Sequence, residues 1–346
     1  MKMLLLFMFL LMPILAVAQP LTPAATRAAF LKMIERPRVL LAAEERKLSA
    51  ADGQAQWHFT FAADATQRVP GILVKDSNAT GKRPVVIALH GTGSTKESQL
   101  GLLQQLAKLG FIGIAIDGRY HGERNLAGKG SGAYNDAMLR TYRTGKELPF
   151  LYDTVWDVLR LLDYLATRYD VDTKRIALLG FSKGGMETYL AAAVDDRIAV
   201  AIPFIGVQSF GWALDNNSWQ SRVETFQAAI NQAAKGEGKN DGQSEVNTDF
   251  VRHFYKRVIP GIADRFDGPQ MLPLIAPRPL LVINDDSDPR TPLPGLMECI
   301  NSARAAYRAA SAEDKFKFTL QPKTGHAVTP DARQEAIAWL QKWLTP

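Results

Sequence analysis

The sequence predicts an α/β protein built on a mostly parallel, doubly wound sheet, with an antiparallel N-terminal edge and a helical insertion before the strand that carries an acidic loop. Three observations point there. Short apolar runs alternate with helical patterns along most of the chain, the signature of a parallel sheet covered by helices on both faces. The two earliest strand-like runs, Trp57 to Phe61 and Gly71 to Val74, are separated by a polar connection that suits a hairpin. The chain between Phe204 and Pro279 is too long for a simple crossover, so residues 206–277 form a separate helical excursion.

The N-terminus stands apart from this pattern. Lys2 is followed by an apolar run from Met3 to Val17 that closes on Ala16-Val17-Ala18, the layout of a cleavable secretory signal. That run is short of the roughly 20 residues needed to cross a bilayer. The expectation is a signal peptide over 1–18 with cleavage after Ala18, a secreted or periplasmic location, and no stable membrane insertion afterwards. Residues 19–54 read as a helical lead-in and 55–346 as the main domain.

Within that domain, Pro84 to Leu89 reads as a buried strand. A helix from about Thr95 to Leu109 follows, with Ser94 and Glu97 at capping-box spacing and Gly110 as its stop. Phe111 to Ile116 is the next buried strand. A Gly-rich loop through Tyr134 leads to an amphipathic helix from Tyr152 to Tyr169, and Arg175 to Leu179 forms a strand that runs directly into Gly180. Next come a small-residue helix from Gly184 to Ala193, a strand from Ile198 to Phe204, and the excursion, in which Lys235 to Ser244 reads as a surface loop. The sheet resumes with Pro279 to Ile283, a helix around Gly295 to Ala309, a strand from Lys315 to Leu320 and a last helix from Asp331 to Leu344.

Charge argues against one class of partner. The formal charge is +6, and removal of Lys2 with the signal leaves +5. Lys and Arg are interspersed with Asp and Glu, without the basic runs and interleaved aromatics of nucleic-acid-binding chains. Cys299 is the only cysteine, so no intrachain disulfide can form, and its helix-like apolar surroundings favour a buried thiol.

The chemistry centres on Gly180-Phe181-Ser182-Lys183-Gly184-Gly185, which matches the G-x-S-x-G nucleophile elbow. An apolar strand enters it and a small-residue helix leaves it, and a side chain at 180 or 184 would crowd the turn. A serine hydroxyl needs a base oriented by a carboxylate. With the partners in the order Ser, acid, His, only His253 and His326 qualify as base. His253 lies in the helical excursion, whereas His326 follows a strand at the functional edge of the sheet and is favoured. Three carboxylates, Asp285, Asp286 and Asp288, follow the strand ending at Ile283. Asp288 is favoured because the loop must pass beyond the strand before turning back to a histidine, which leaves Asp285 and Asp286 to cap or solvate the loop.

Acyl transfer also needs two preorganised N–H donors for an oxyanion. The backbone of Lys183 is one candidate, and Gly91 or Thr92 in His90-Gly91-Thr92-Gly93 supplies the other, with no sequence feature choosing between them. His90 reads as packed and hydrogen-bonded. The charges in Asp117 to Arg124 read as a network bracing the nucleophile loop, with Tyr120 and His121 as candidate substrate-site residues. Phe210, Trp212, Trp219 and Phe226 suit either a partial cap over 206–277, with Trp212 in the substrate site, or a packed helical insertion.

These residues resemble the α/β-hydrolase superfamily, and within it the dienelactone-hydrolase and acetyl-xylan-esterase-like branch. His90 to Gly93, Arg119-Tyr120-His121-Gly122, Gly180 to Gly185, Ala276-Pro277-Arg278-Pro279-Leu280-Leu281 and Gly325-His326 resemble it in order and separation over residues 55–346. The resemblance implies an α/β-hydrolase fold, attack by Ser182, proton transfer through His326, an acyl-enzyme and its hydrolysis by water, with no metal or organic cofactor. A dienelactone hydrolase proper carries cysteine where this chain has Ser182, which points away from lactones. The expected substrate is a small-molecule or carbohydrate ester, such as acylated plant carbohydrate or a small carboxylic ester. A prolyl-oligopeptidase-like serine peptidase is the enzymatic alternative, and a non-catalytic binding protein of the same fold is the other. The intact Ser, Asp and His set argues against the latter.

Overall fold

The computed structural model describes residues 22–48, 53–125, 128, 130–148, 151–237 and 246–345. The signal expected over 1–18 lies outside them, as does most of the surface loop expected over 235–244. Among the described residues of the lead-in, only α1 (Pro23–Ile34) is helical, opened by Thr22, whose hydroxyl accepts from Ala25 N–H. The chain then extends into an unforeseen edge strand, β1 (Glu44–Lys47), fully exposed and entirely charged. Such a strand signals poorly in sequence because it has no buried face, and its charges discourage pairing with other chains.

The hairpin is present as β2 (Gln54–Ala62) and β3 (Arg68–Asp76), with Trp57 opposite Leu73 and Ala62 opposite Arg68. The remaining strands are β4 (Arg83–Leu89), β5 (Ile112–Ile116), β6 (Val171–Phe181), β7 (Ile198–Phe204), β8 (Leu280–Asp285) and β9 (Phe316–Gln321). Among the described residues they form one sheet in the order β1-β2-β3-β5-β4-β6-β7-β8-β9. The first three strands and β5 pair antiparallel, and β5-β4-β6-β7-β8-β9 are parallel.

Both faces of the parallel strands are buried, which is why they read as continuous apolar runs. Alternate residues feed two cores. Val85, Ile87, Ile176 and Leu178 belong to the larger one, with residues of α3 (Gly132–Thr144), α4 (Tyr152–Ala166), α5 (Lys183–Val194) and α11 (Leu293–Ala309). Val86, Ala88, Ala177 and Leu179 face the other, covered by α2 (Leu100–Lys108) and α12 (Pro330–Leu344). The register aligns the strand ends: Leu89 pairs with both Ile116 and Gly180, Phe204 with Ile283, and Asp285 with Gln321. The loops that leave these ends therefore meet along one edge, where the strand order reverses around β4.

Three local expectations change. The capping box does not form: the chain enters α2 through a 3₁₀ turn, Lys96–Gln99, whose cap Thr95 makes no side-chain capping bond. Lys96 donates from both its backbone N–H and its Nζ to Asp117, each at 2.9 Å, which draws the turn toward the end of β5. Glu97 then pairs with Lys96 and with the Thr95 side chain. The Gly-rich loop ends earlier than expected because Tyr134 already lies in α3, where Tyr134, Met138 and Tyr142 are buried. Helix α3 is specified by its packing on the excursion rather than by propensity. The helix beginning at Tyr152 stops at Ala166, leaving Tyr169 85% exposed.

The excursion contains α6 (Phe210–Asp215), α7 (Gln220–Val223), α8 (Gln227–Glu237), α9 (Thr248–Val258) and α10 (Gly268–Met271). Lys235, expected in the surface loop, lies within α8. Phe226 stacks on Phe254 at 5.9 Å and Phe210 meets Tyr255 edge-on at 5.5 Å, and all four belong to the larger core. These four aromatic residues thus fill a helical layer continuous with the sheet's own core. Arg278, in the Pro-Arg-Pro run before β8, donates to the carbonyls of Asp195 and Ile198 beyond the end of α5 and so joins the two elements. Cys299 is buried in α11, and burial pushes its thiol well above the ordinary range. No helix among the described residues is long and apolar enough to cross a membrane.

Candidate active site

Ser182 occupies the turn between β6 and α5 at φ 56° and ψ −110°. A side chain in that region is strained, and the surroundings hold it there. Its N–H donates to Phe204 O at 2.9 Å, and its own carbonyl accepts from Met186 N–H at 3.0 Å. Backbone crowds the turn on every side. A Cβ at Gly180 would stand 2.3 Å from Gly184 O, one at Gly184 would stand 2.5 Å from Leu89 O, and one at Gly206 would stand 2.6 Å from Ser182 O. The first two requirements are legible in the motif, whereas Gly206 is outside it. Gly206→Ala is expected to destabilise the protein by about 3 kcal/mol, as overpacking against backbone does, and to lower activity by displacing Ser182. Urea unfolding with a parallel rate assay checks both.

Ser182 Oγ lies 2.7 Å from His326 Nε2, and His326 Nδ1 lies 2.7 Å from Asp288 Oδ2. The donors follow from charge. Burial raises the pKa of Asp288, but the hydrogen bond with His326 and the N–H of Arg290 at 2.9 Å outweigh it and hold the carboxyl below its ordinary range. An ionised carboxylate only accepts, so Nδ1 donates to it and Nε2 presents a lone pair to the serine hydroxyl.

The loops that bring these groups together are clamped to each other. Asn284 donates to Val207 O and to Thr291 Oγ1, both at 3.1 Å, closing the acid loop on itself and on the chain after β7. Asp285 caps its own loop at Ser287 N–H (2.8 Å), as expected. It also accepts from Thr324 N–H at 2.7 Å and Gly325 N–H at 3.0 Å, in the loop that carries His326. Asp286 accepts from Lys323 N–H at 2.8 Å, so it too binds across loops rather than only facing solvent. From the excursion, buried Arg222 donates to Arg290 O at 3.0 Å and to Gln208 Oε1 at 3.2 Å, bracing the acid loop from the opposite side. Nothing in the sequence marks Arg222, because its partners are a backbone carbonyl and an amide far along the chain.

The other flank of Ser182 is the His90 loop. A Cβ at Gly91 would stand 3.7 Å from Ser182 Cβ, so this backbone passes directly beside the nucleophile turn. His90 is buried. It accepts from Gly118 N–H at 3.0 Å and donates to Gly91 O at 2.8 Å, and burial together with the Lys183 charge holds it neutral. The charged run after β5 supports this loop: Asp117 binds Lys96 and Glu123 N–H, while Arg119 and Arg124 pair with Asp157. Lys183 opens α5, where a backbone N–H has no carbonyl within the helix to meet. Its side chain is buried and donates to Glu187 at 2.6 Å, and burial pushes Glu187 up to about 7 against that attraction.

The structure does not bring every candidate together. His121 is buried behind the His90 loop, its ring 5.1 Å from His90 and 5.2 Å from Tyr134, and burial with the Lys183 charge pushes it down to about 3. Tyr120 turns the other way, donating to Glu147 at 3.1 Å in a separate cavity. Trp212 packs about 3.1 Å from where a Cβ of Gly295 would stand, in a groove lined by none of Ser182, Asp288 and His326. His253 is exposed on α9 with its ring 6.0 Å from Tyr142.

Comparison with known proteins accords with this architecture. The family model described as glucuronyl esterase of fungi matches residues 60–311, a span that includes Ser182 and Asp288 but stops before His326. A Bacillus subtilis protein named as the hydrolase YtaP is 28% identical over 291 residues, covering 80% of this chain and 84% of that one. The 4-O-methyl-glucuronoyl methylesterase 1 of Wolfiporia cocos is 26% identical over 219 residues, covering 62% of this chain and 50% of that protein. The crystal structure of acetyl xylan esterase 1 from Thermoanaerobacterium superposes with a TM-score of 0.67 at 17% identity, covering 94% of this chain and 95% of the other, and shares its fold. The chain therefore belongs to the glucuronyl esterase family, within the α/β-hydrolase superfamily of carboxylic ester hydrolases.

Proposed function

We propose that the protein hydrolyses esters of plant polysaccharide, acyl or uronoyl, through a covalent acyl-enzyme on Ser182. The observation that carries this reading is the continuous hydrogen-bonded series Ser182–His326–Asp288, set on a strained turn at the meeting edge of the loops. His326 Nε2 takes the hydroxyl proton as Oγ attacks the ester carbonyl, and Asp288 stabilises the imidazolium that forms. The proton then passes to the leaving alcohol. Water, activated by the same nitrogen, releases the acid and restores the serine.

The oxyanion is held by Lys183 N–H, at the positive end of the α5 dipole, and by Thr92 N–H. Support for Thr92 over Gly91 comes from the peptide plane. Gly91 O is turned toward His90 and Ser94 N–H, and across a trans peptide the following N–H points the opposite way. Residues 1–18 direct export, which N-terminal sequencing of the protein from the medium or periplasm would check.

The substrate class is tested by rates on acetylated xylan, a benzyl glucuronoyl ester, a feruloyl ester and a proline peptide nitroanilide side by side. The expected result is kcat/KM at least ~100-fold higher for one of the carbohydrate esters than for the peptide, the scale on which a polar site discriminates between substrate classes. Peptide cleavage at comparable rates would sink the reading.

A further inference from the structure

On the same edge of the sheet as Ser182 lies a cavity of about 490 Å³, of mixed polar and apolar lining, that the reaction does not use. Its lining includes Asp64, Arg119, Tyr120, Arg140, Glu147 and Asp153. The β2–β3 turn contributes Asp64, the loop after β5 contributes Arg119 and Tyr120, and the first turn of α4 contributes Asp153. Tyr120 leaves the end of β5 and Ser182 the end of β6, two strands away in the sheet. The spacing of neighbouring strands puts the cavity roughly 10–15 Å from the nucleophile, the span of a short oligosaccharide.

The chemistry of the lining selects a ligand. Arg119 pairs with Asp64 at 2.8 Å and approaches Asp153 at 3.7 Å, Arg140 pairs with Glu147 at 3.1 Å, and Arg36 closes the group on Asp153 at 2.8 Å. Arg119 and Asp153 are more than nine-tenths buried, so this is a built arrangement rather than a solvated surface. An anionic ligand would meet carboxylates beside every guanidinium, and the one further cation of the lining, Lys146, is exposed. An apolar acyl chain would strand the same groups without water. Vicinal sugar hydroxyls each donate and accept, and donors and acceptors set side by side satisfy both roles.

Tyr120 adds an amphipathic ring. It is half-buried, with the Arg140 guanidinium 6.0 Å from its centroid, and it sits at φ 66°. That left-handed backbone places consecutive side chains apart, His121 behind the His90 loop and Tyr120 in this cavity. Strain kept at one residue is a mark of functional loops.

We propose that this cavity is a distal subsite for neutral sugar residues of the polysaccharide whose ester is cleaved at Ser182, an inference that rests on the carbohydrate-esterase reading. The test measures binding apart from catalysis. Xylohexaose is titrated calorimetrically into Ser182→Ala protein, then into the same protein carrying Glu147→Gln or Arg140→Met, both at half-exposed side chains whose replacement leaves the core intact. Each change is expected to weaken binding ~5-fold, the loss of about one neutral hydrogen bond. With Ser182 present, each should raise KM for acetylated xylan by the same factor and leave kcat and KM for nitrophenyl acetate unchanged.

Hydrolysis of acetylated xylan without xylohexaose binding would overturn the subsite while leaving the esterase reading intact. Tighter binding of oligogalacturonate than of xylohexaose would also overturn it, as would an equal loss of turnover on nitrophenyl acetate. Absence of hydrolysis with every carbohydrate ester would remove the reading and the subsite together.

Discussion

Ser182→Ala is expected to lower kcat for nitrophenyl acetate by ~10⁴- to 10⁶-fold, the range over which a triad nucleophile acts. The protein should lose fluorophosphonate labelling and keep its urea midpoint. Stability is unaffected because the turn is held by backbone bonds, Ser182 N–H donating to Phe204 O and Met186 N–H donating to Ser182 O, and alanine carries the same Cβ at φ 56° as serine does. His326→Ala should fall in the same range, since without Nε2 the Oγ–H has no base at 2.7 Å. The double variant should be little worse than either single one, because the two groups act as a unit. His253→Ala is expected to stay within about twofold of the parent, as its side chain is exposed on α9. A severe His253 variant beside a mild His326 variant would reverse the assignment of the base.

The second large effect separates Asp288 from its neighbours. Asp288→Asn should lower kcat by about 10⁴-fold with little change in KM, because an amide no longer holds the imidazole with its proton on Nδ1. Asp285→Asn should cost less, about 10- to 100-fold, through misplacement of the His326 loop after its two N–H donors lose a carboxylate. The opposite ranking would move the acid to Asp285.

The pH dependence of stability carries the same information. Asp288 is held below its unfolded value, so its stabilisation is complete above pH about 4 and is lost as pH falls through the lower folded value. Acid unfolding of Asp288→Asn should lack that contribution.

How much of this was legible in the chain differs from group to group. Strands buried on both faces announce themselves as apolar runs, and the elbow announces itself because Gly180 and Gly184 are required within a few residues of Ser182. The preference for His326 over His253 also rests on local context, a strand end rather than a helix. Asp288 needed a geometric argument about loop length, and no feature of the sequence separates Gly91 from Thr92.

What the sequence by itself determined is therefore the layer order and the class of carboxylic ester hydrolase, because each depends on patterns of residues close together in the chain. Only the tertiary structure decided which groups hold the site in place: Asp285 across to Gly325, Arg222 to the Arg290 carbonyl, and Gly206 beneath Ser182. It also separated adjacent Tyr120 and His121 into two environments. These contacts join residues tens of positions apart through backbone atoms that every residue possesses, and an atom common to all side-chain types leaves no trace in the order of the amino acids.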